Sequence, residues 1–257
     1  MDLRSEQREL YERQSRERGD MRAHFRWFAP ARRLEDTARL AASRPAGAVL
    51  EVGCGDAVLL ERIVRALPVR PARIVGLDLS AGRLARARER LADGRWACAS
   101  ADALPLASAS FDLTICAEVL EHLLDPAAAL RELARVTKRG GRVLVSVPVV
   151  GWSRWIEAKL SGRVRFLDEA EHVREFCASP LPRCETIEWL ESRMRGAGLE
   201  VAAEHGVYAF PHRGERLWHT LLGAGPLHAP ARAFDRALGG GPLRRWGRWL
   251  IVEARVA

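Results

Sequence analysis

The segment Glu51-Val-Gly-Cys-Gly-Asp56 puts two glycines and two carboxylates on one short stretch, and further acids follow at Asp78 and Asp102. Gly53 and Gly55, on either side of Cys54, let a backbone turn sharply and come close to a ligand. An acid roughly 20 residues beyond such a loop is spaced to take both hydroxyls of a ribose, which is the role expected of Asp78, with Leu79 beside it. Asp102, followed by Ala103, offers a carboxylate to an adenine amino group. Side chains that could accept a proton from a reacting group are Glu118, His122 and His172.

These residues meet only if particular elements carry them. Apolar periodicity predicts strands at 48–52, 73–79, 96–99, 111–117 and 142–148, with helices between them at 58–67 and 80–91. Asp125-Pro126 caps a further helix, whose apolar stripe (Ala129, Leu130, Leu133, Val136) is read as ending at Gly140-Gly141. Two helices precede the first strand, at 3–19 and 30–42. Beyond Val150 a helix at 186–197, a strand at 199–204, a short helix at 229–238 and a closing strand at 249–256 are predicted. Alternating strands and helices imply parallel pairing and right-handed crossovers, hence an α/β doubly wound sheet. Ligands on such sheets bind outside the carboxyl ends of the strands. The glycine loop, Asp78 and Asp102 fall at the ends of the first three strands in order.

A dinucleotide fold would share the loop and the second acid, so charge has to discriminate. Val58 stands where a nicotinamide-cofactor fingerprint has its third glycine. Glu51 precedes the loop, and Asp56 lies where a pyrophosphate would rest on the helix N-terminus. Acids there repel phosphate and suit S-adenosylmethionine, which has a sulfonium and an ammonium and no phosphate.

Val49-Leu-Glu-Val-Gly-Cys-Gly-Asp-Ala57 resembles the first motif of class I S-adenosylmethionine-dependent methyltransferases, although Ala57 replaces a frequent glycine. Gly76-Leu-Asp-Leu-Ser80 is similar to their second-strand acid motif. The stretch from Phe111-Asp-Leu113 through Glu118-Val-Leu-Glu-His122 is similar to the branch that includes ubiquinone, menaquinone and natural-product methyltransferases. The resemblance implies a Rossmann-like seven-stranded sheet whose last strand is antiparallel, with helical additions at both ends. It also implies S-adenosylmethionine as cofactor and S-adenosylhomocysteine as product. Glu51, Gly53, Cys54, Gly55, Asp56, Asp78, Leu79, Asp102, Ala103 and Glu118 are the expected cofactor residues. His122 has two readings, as a base or as a residue that packs beside the strand end. His172 has two as well, on the substrate side or in a structural role.

The expected partner is a small-molecule acceptor, lipophilic, quinone-like or natural-product in kind. A non-catalytic cofactor-binding module of the same fold is the alternative. Ala117-Glu-Val-Leu120 replaces the Asn/Asp-Pro-Pro-aromatic loop of enzymes that methylate base or amide nitrogen, which argues against a nucleic-acid acceptor. The charge balance agrees. The net charge of +8 resides in the ends, because residues 49–204 carry 22 basic and 22 acidic side chains. No His/Cys cluster has metal-ligand spacing, and the five scattered cysteines fit a reduced cytoplasm.

Residues 1–44 are expected to form a helical cap, with Phe25 and Trp27. Residues 45–257 form the main domain, with substrate-side inserts at about 151–184, containing Trp152 and Trp155, and 206–247. The last 53 residues pair eight arginines with Trp218, Trp246 and Trp249, a composition suited to peripheral membrane contact. Oligomeric state is not encoded in any of these patterns.

Overall fold

In a computed structural model the strands order as β3-β2-β1-β4-β5-β7-β6 in one seven-stranded sheet. The structure describes residues 3–20, 28–149, 187–207, 228–247 and 249–257. In chain order the elements are α1 (Leu3–Arg18), α2 (Phe28–Ala41), β1 (Ala48–Val52), α3 (Val58–Ala66), β2 (Arg73–Asp78), α4 (Ala81–Arg90), β3 (Arg95–Cys98) and β4 (Phe111–Ala117). There follow α5 (Pro126–Val136), β5 (Thr137–Pro148), α6 (Ile187–Gly196), β6 (Leu199–Val207), α7 (His228–Gly240) and β7 (Trp249–Val256). Strands β1 to β5 pair in parallel, and β7 runs antiparallel between β5 and β6. The expected Rossmann-like sheet, with its last strand antiparallel, is therefore present.

Strand β1 is buried along its whole length, as a central parallel strand covered on both faces must be. Its alternate side chains feed two cores. Leu50 and Val52 join Leu130, Leu133, Leu190 and Met194 on the face of α5 and α6. Val49 joins Leu34, Leu60 and Ile63 on the face of α2 and α3. The helices begin where their sequence provides caps. Ser80 accepts from the N–H of Arg83 at 3.2 Å, and Asp125 from that of Ala128 at 2.9 Å, each satisfying an otherwise orphaned donor.

Two strand boundaries differ clearly from the sequence expectation. Helix α5 ends at Val136 rather than at Gly140-Gly141, and β5 starts at Thr137. Thr137 pairs with Phe111 across a register shift, and its hydroxyl meets Thr114 Oγ1 at 2.7 Å inside the sheet. That buried pairing outweighs the helical stripe. Strand β6 also runs to Val207, further than predicted, which carries His205 into the interior.

Candidate cofactor and transfer site

The loop after β1 hangs from β2. The N–H groups of Gly53 and Cys54 both donate to the carbonyl of Leu77, at 2.7 and 2.9 Å. Gly53 has φ +72°, and a Cβ there would stand 2.2 Å from Val119 Cγ2, so only glycine fits between the loop and the segment after β4. Gly55 (φ +52°) and Ala57 (φ +58°) also take left-handed conformations. Ala57 thus adopts a conformation that favours glycine, at a steric cost of roughly 1–2 kcal/mol.

Asp78 closes the loop from β2. One carboxylate oxygen accepts from the Gly55 N–H at 2.8 Å, the other from the Ser80 N–H at 2.9 Å. Burial pushes its carboxyl above the usual range, against the opposing pull of those two N–H groups and of Arg83. Glu51 lies deeper. Burial drives its carboxyl well above the ordinary carboxylate range, and the charge of Asp78 adds to the rise, while the Leu60 N–H opposes it. Its Oε2 has no hydrogen-bond partner among the described residues. Cys54 packs in the same buried layer, where burial raises its thiol strongly, and the S–H reaches the Gly55 carbonyl at 3.7 Å.

Asp56 behaves differently from the loop acid anticipated by its position. Its carboxylate lies 3.1 Å from Arg86 of α4, and Arg90 donates to its carbonyl at 2.7 Å. Beside the loop, at the end of β1, it is Glu51 that keeps an open oxygen among the described residues. At the end of β3, Asp102 accepts from the Ser100 hydroxyl at 2.5 Å, with Ala103 exposed next to it. The Leu79 carbonyl accepts from the Cys98 thiol at 3.1 Å, tying β2 to β3.

Glu118 follows β4 with φ +58°, and its N–H donates to the Ser146 carbonyl of β5 at 2.9 Å. Its carboxylate accepts from the Ser146 hydroxyl at 3.0 Å and from Arg33 at 2.7 Å. Arg33 reaches this place from α2, with its guanidinium 5.3 Å from the ring centre of Trp249. His122 lies at the end of the 3-10 turn Leu120–His122, 4.0 Å from a carboxyl oxygen of Glu121. Burial, reinforced by the charge of Glu118, holds the Glu121 carboxyl well above its normal range, and its Oε2 has no partner among the described residues.

Sequence reading missed Glu121 and Arg33. Glu121 was visible in the Glu-Val-Leu-Glu-His run, but its enclosure was not; Arg33 had no local signal. His172, Phe25, Trp27, Trp152, Trp155 and Trp218 lie outside the described residues. Of the C-terminal arginines, Arg236 faces Asp36, and Arg244 and Arg245 are held by Glu204. No cluster of three or more metal-ligating side chains occurs among the described residues. None of their helices is long and apolar enough to cross a membrane.

The loop, two strand-end acids and the strand order converge on one comparison. Residues 50–145 match the family profile of a methyltransferase domain. Over that segment the chain is similar to a methyltransferase domain, and its sheet has the fold of S-adenosylmethionine-dependent methyltransferases. Among curated relatives, it is 32% identical over 177 residues to malonyl-[acyl-carrier protein] O-methyltransferase of Hahella chejuensis, covering 65% of this chain and 62% of that one. It is 36% identical over 130 residues to ubiquinone biosynthesis O-methyltransferase of Idiomarina loihiensis, covering 49% of each. The chain thus spans about half to three fifths of the length of these relatives. A solved S-adenosylmethionine-dependent methyltransferase of Thermotoga maritima superposes with a TM-score of 0.61 at 19% identity, over 98% of this chain and 100% of that one, which supports the fold.

Over the matched segment the residues fit S-adenosylmethionine. A buried carboxyl oxygen without a partner among the described residues, beside a loop whose glycines leave the backbone open, suits a cationic ligand better than a phosphate. Each Asp78 oxygen already accepts one hydrogen bond and retains a lone pair for a ribose hydroxyl.

Proposed function

We propose that this protein transfers a methyl group from S-adenosylmethionine to a hydroxyl-bearing small molecule. The observation that carries the reading is Glu51, enclosed behind the glycine loop with one oxygen unpartnered among the described residues. A buried polar group in that condition is costly unless a ligand completes it, and an ammonium group does so. Asp78 takes the ribose, Asp102 the adenine side, and Gly53 and Gly55 give the close backbone approach. The bound cofactor supplies a methyl group on a positively charged sulfur, already activated for displacement.

The chain's own contribution is then alignment, which can be worth about 7 kcal/mol or more of a barrier. Arg33 and Ser146 fix the Glu118 carboxylate at the wall of the site. His122 stands on the same wall, and in this reading it takes a proton from an acceptor hydroxyl. Oxygen as the receiving atom, and a quinone-like or otherwise lipophilic acceptor, are supported by the names of the relatives. A non-catalytic module is not favoured, because the loop and both strand-end acids are intact.

Calorimetric titration with S-adenosylmethionine, S-adenosylhomocysteine and NAD tests the reading. Binding of the first two and not the third is expected, and preference for NAD would overturn it. In the same assay Asp78→Ala weakens S-adenosylmethionine binding by about tenfold, the value of hydrogen bonds to a charged acceptor; an unchanged affinity would place the ribose elsewhere.

A further inference from the structure

Helix α2 carries neighbouring arginines with different surroundings. Arg32 is buried, 1% exposed, and its guanidinium lies 2.8 Å from Asp36. Arg33 leaves the helix on the side of the site, where its Nη1 donates to Glu118 at 2.7 Å. The Arg33 side chain is only 12% exposed, yet among the described residues Glu118 is its one hydrogen-bond partner. Its Nε and Nη2 are not sealed from solvent, so both remain open to a ligand. A guanidinium has five N–H donors in a planar fork. Arg142, buried to a similar degree, fills its fork with Glu253 and the carbonyls of Leu40 and Ala41. Arg33 is enclosed almost as closely, with most of its donors unused.

The sheet places this open fork. In the strand order β3-β2-β1-β4-β5-β7-β6, Asp102, Asp78 and the glycine loop follow β3, β2 and β1, the stretch a cofactor would span. Glu118 continues the row after β4. The next residue, Val119, packs on the loop, since a Cβ on Gly53 would stand 2.2 Å from its Cγ2. Trp249 comes next along the row, opposite Pro148 at the end of β5 and Val207 at the end of β6. The Arg33 guanidinium lies 5.3 Å from the centre of the Trp249 ring. Arg33 therefore stands on the side of the loop away from the ribose and adenine acids, the side left for an acceptor.

We propose that Arg33 is a specificity-determining residue that binds a carboxylate carried by the methyl acceptor. The inference rests on the reading of this site as one that methylates a hydroxyl-bearing small molecule, and it narrows that class to hydroxy acids. Enclosed donors without acceptors are costly until a ligand completes them, and a planar fork matches a carboxylate through two parallel hydrogen bonds. Charge limits the choice further. Glu118 already brings one negative charge to the guanidinium, so a carboxylate adds less repulsion than a doubly charged phosphate. One guanidinium holding two carboxylates has a counterpart in this chain, where Arg245 lies 2.9 Å from Glu204 and 2.5 Å from Glu191.

The test compares ligands that differ only in this charge: salicylate, caffeate and hydroxydecanoate, each against its own primary amide. Binding to the full-length protein saturated with S-adenosylhomocysteine is measured by calorimetry. At least one acid is expected to bind about tenfold tighter than its amide, a difference of about 1.4 kcal/mol. Arg33→Met should bring that ratio close to one, and Arg33→Lys, which keeps the charge and loses the fork, should leave it in between. Taking the ratio within each protein cancels any effect of the substitution on folding or on Glu118. No binding by any acid, or ratios near one for all the pairs in the parent, would overturn the inference, and so would a ratio that survives in Arg33→Met. If Arg33→Met does not fold, an undiminished ratio in Arg33→Lys overturns it instead. A parent protein that binds no S-adenosylhomocysteine would overturn the cofactor reading beneath it.

Discussion

The two halves of the sheet treat buried charge in opposite ways. At the far edge, formed by β5, β7 and β6 under α2, every buried acid is compensated. Asp36, fully buried, lies 2.8 Å from Arg32 and 3.5 Å from His205, with Arg39 and Arg236 further out. Burial alone would raise its carboxyl, but the contact with His205 and the charge of Arg32 outweigh that and hold it below the usual range. Arg142 of β5 makes two contacts of 3.1 Å to Glu253 of β7, and donates to the carbonyls of Leu40 and Ala41 at the end of α2. Around β1, β2 and β4 two buried acids are left incomplete, although Asp56 and Asp78 are not. Glu51 and Glu121 are enclosed with open oxygens among the described residues, and both carboxyls are pushed up. The far edge resolves its electrostatics within the chain. The site leaves its own for a ligand to resolve.

The largest effect should come from breaking the compensated half. Asp36→Ala leaves Arg32, 1% exposed, without its main partner, and removing one member of a buried pair costs about 3–5 kcal/mol. Denaturant unfolding at neutral pH checks the loss. Because the Asp36 carboxyl is held low, its contribution is present above the unfolded carboxylate value and disappears as pH falls through the lowered one. The penalty of the variant should therefore shrink in acid. A small, pH-independent cost would show that the far edge does not depend on this charge.

A smaller effect of opposite sign is expected in the site. Glu121 has a raised folded value, so ionisation favours the unfolded chain, and stability is lost as pH rises from the unfolded carboxylate value towards the folded one. Glu121→Gln removes that slope. Its melting temperature should match the parent near pH 4 and exceed it by a few degrees at pH 8. A difference that stays constant with pH would mean Glu121 is charged in the fold, and would dissolve the contrast between the halves.

The smallest effect belongs to the loop backbone. Ala57 has φ +58°, and Ala57→Gly relieves a left-handed strain of roughly 1–2 kcal/mol, partly offset by the greater chain entropy of glycine. A net gain in unfolding stability of about 0.5 kcal/mol is expected. A loss would show that the buried methyl group of Ala57 outweighs the strain.

Much of this arrangement was legible in the sequence because it depends on local spacing. Val49 to Asp56 specifies a strand followed by a tight loop, and Ser80 and Asp125 mark helix starts by their own side chains. The acids at 51, 78 and 102 fall at strand ends because strand length and periodicity put them there. The early start of β5 was not legible, since Thr137 is decided by its partners Phe111 and Thr114 across the sheet. The same reason hid Arg33, which finds Glu118 85 residues away.

By itself, then, the sequence determined the α/β alternation, the glycine loop and the order of acids that mark a cofactor site for S-adenosylmethionine. Only the tertiary structure decided which of those acids are compensated. Asp56 is taken by Arg86 and Asp36 by Arg32 and His205, while Glu51 keeps an open oxygen among the described residues. It also decided that a polar helix at the start of the chain is held on α4 and brings Tyr11 edge-on to His122. Spacing along a chain fixes where a side chain leaves its own element, but its charge and its contacts depend on what remote segments bring within a few ångströms.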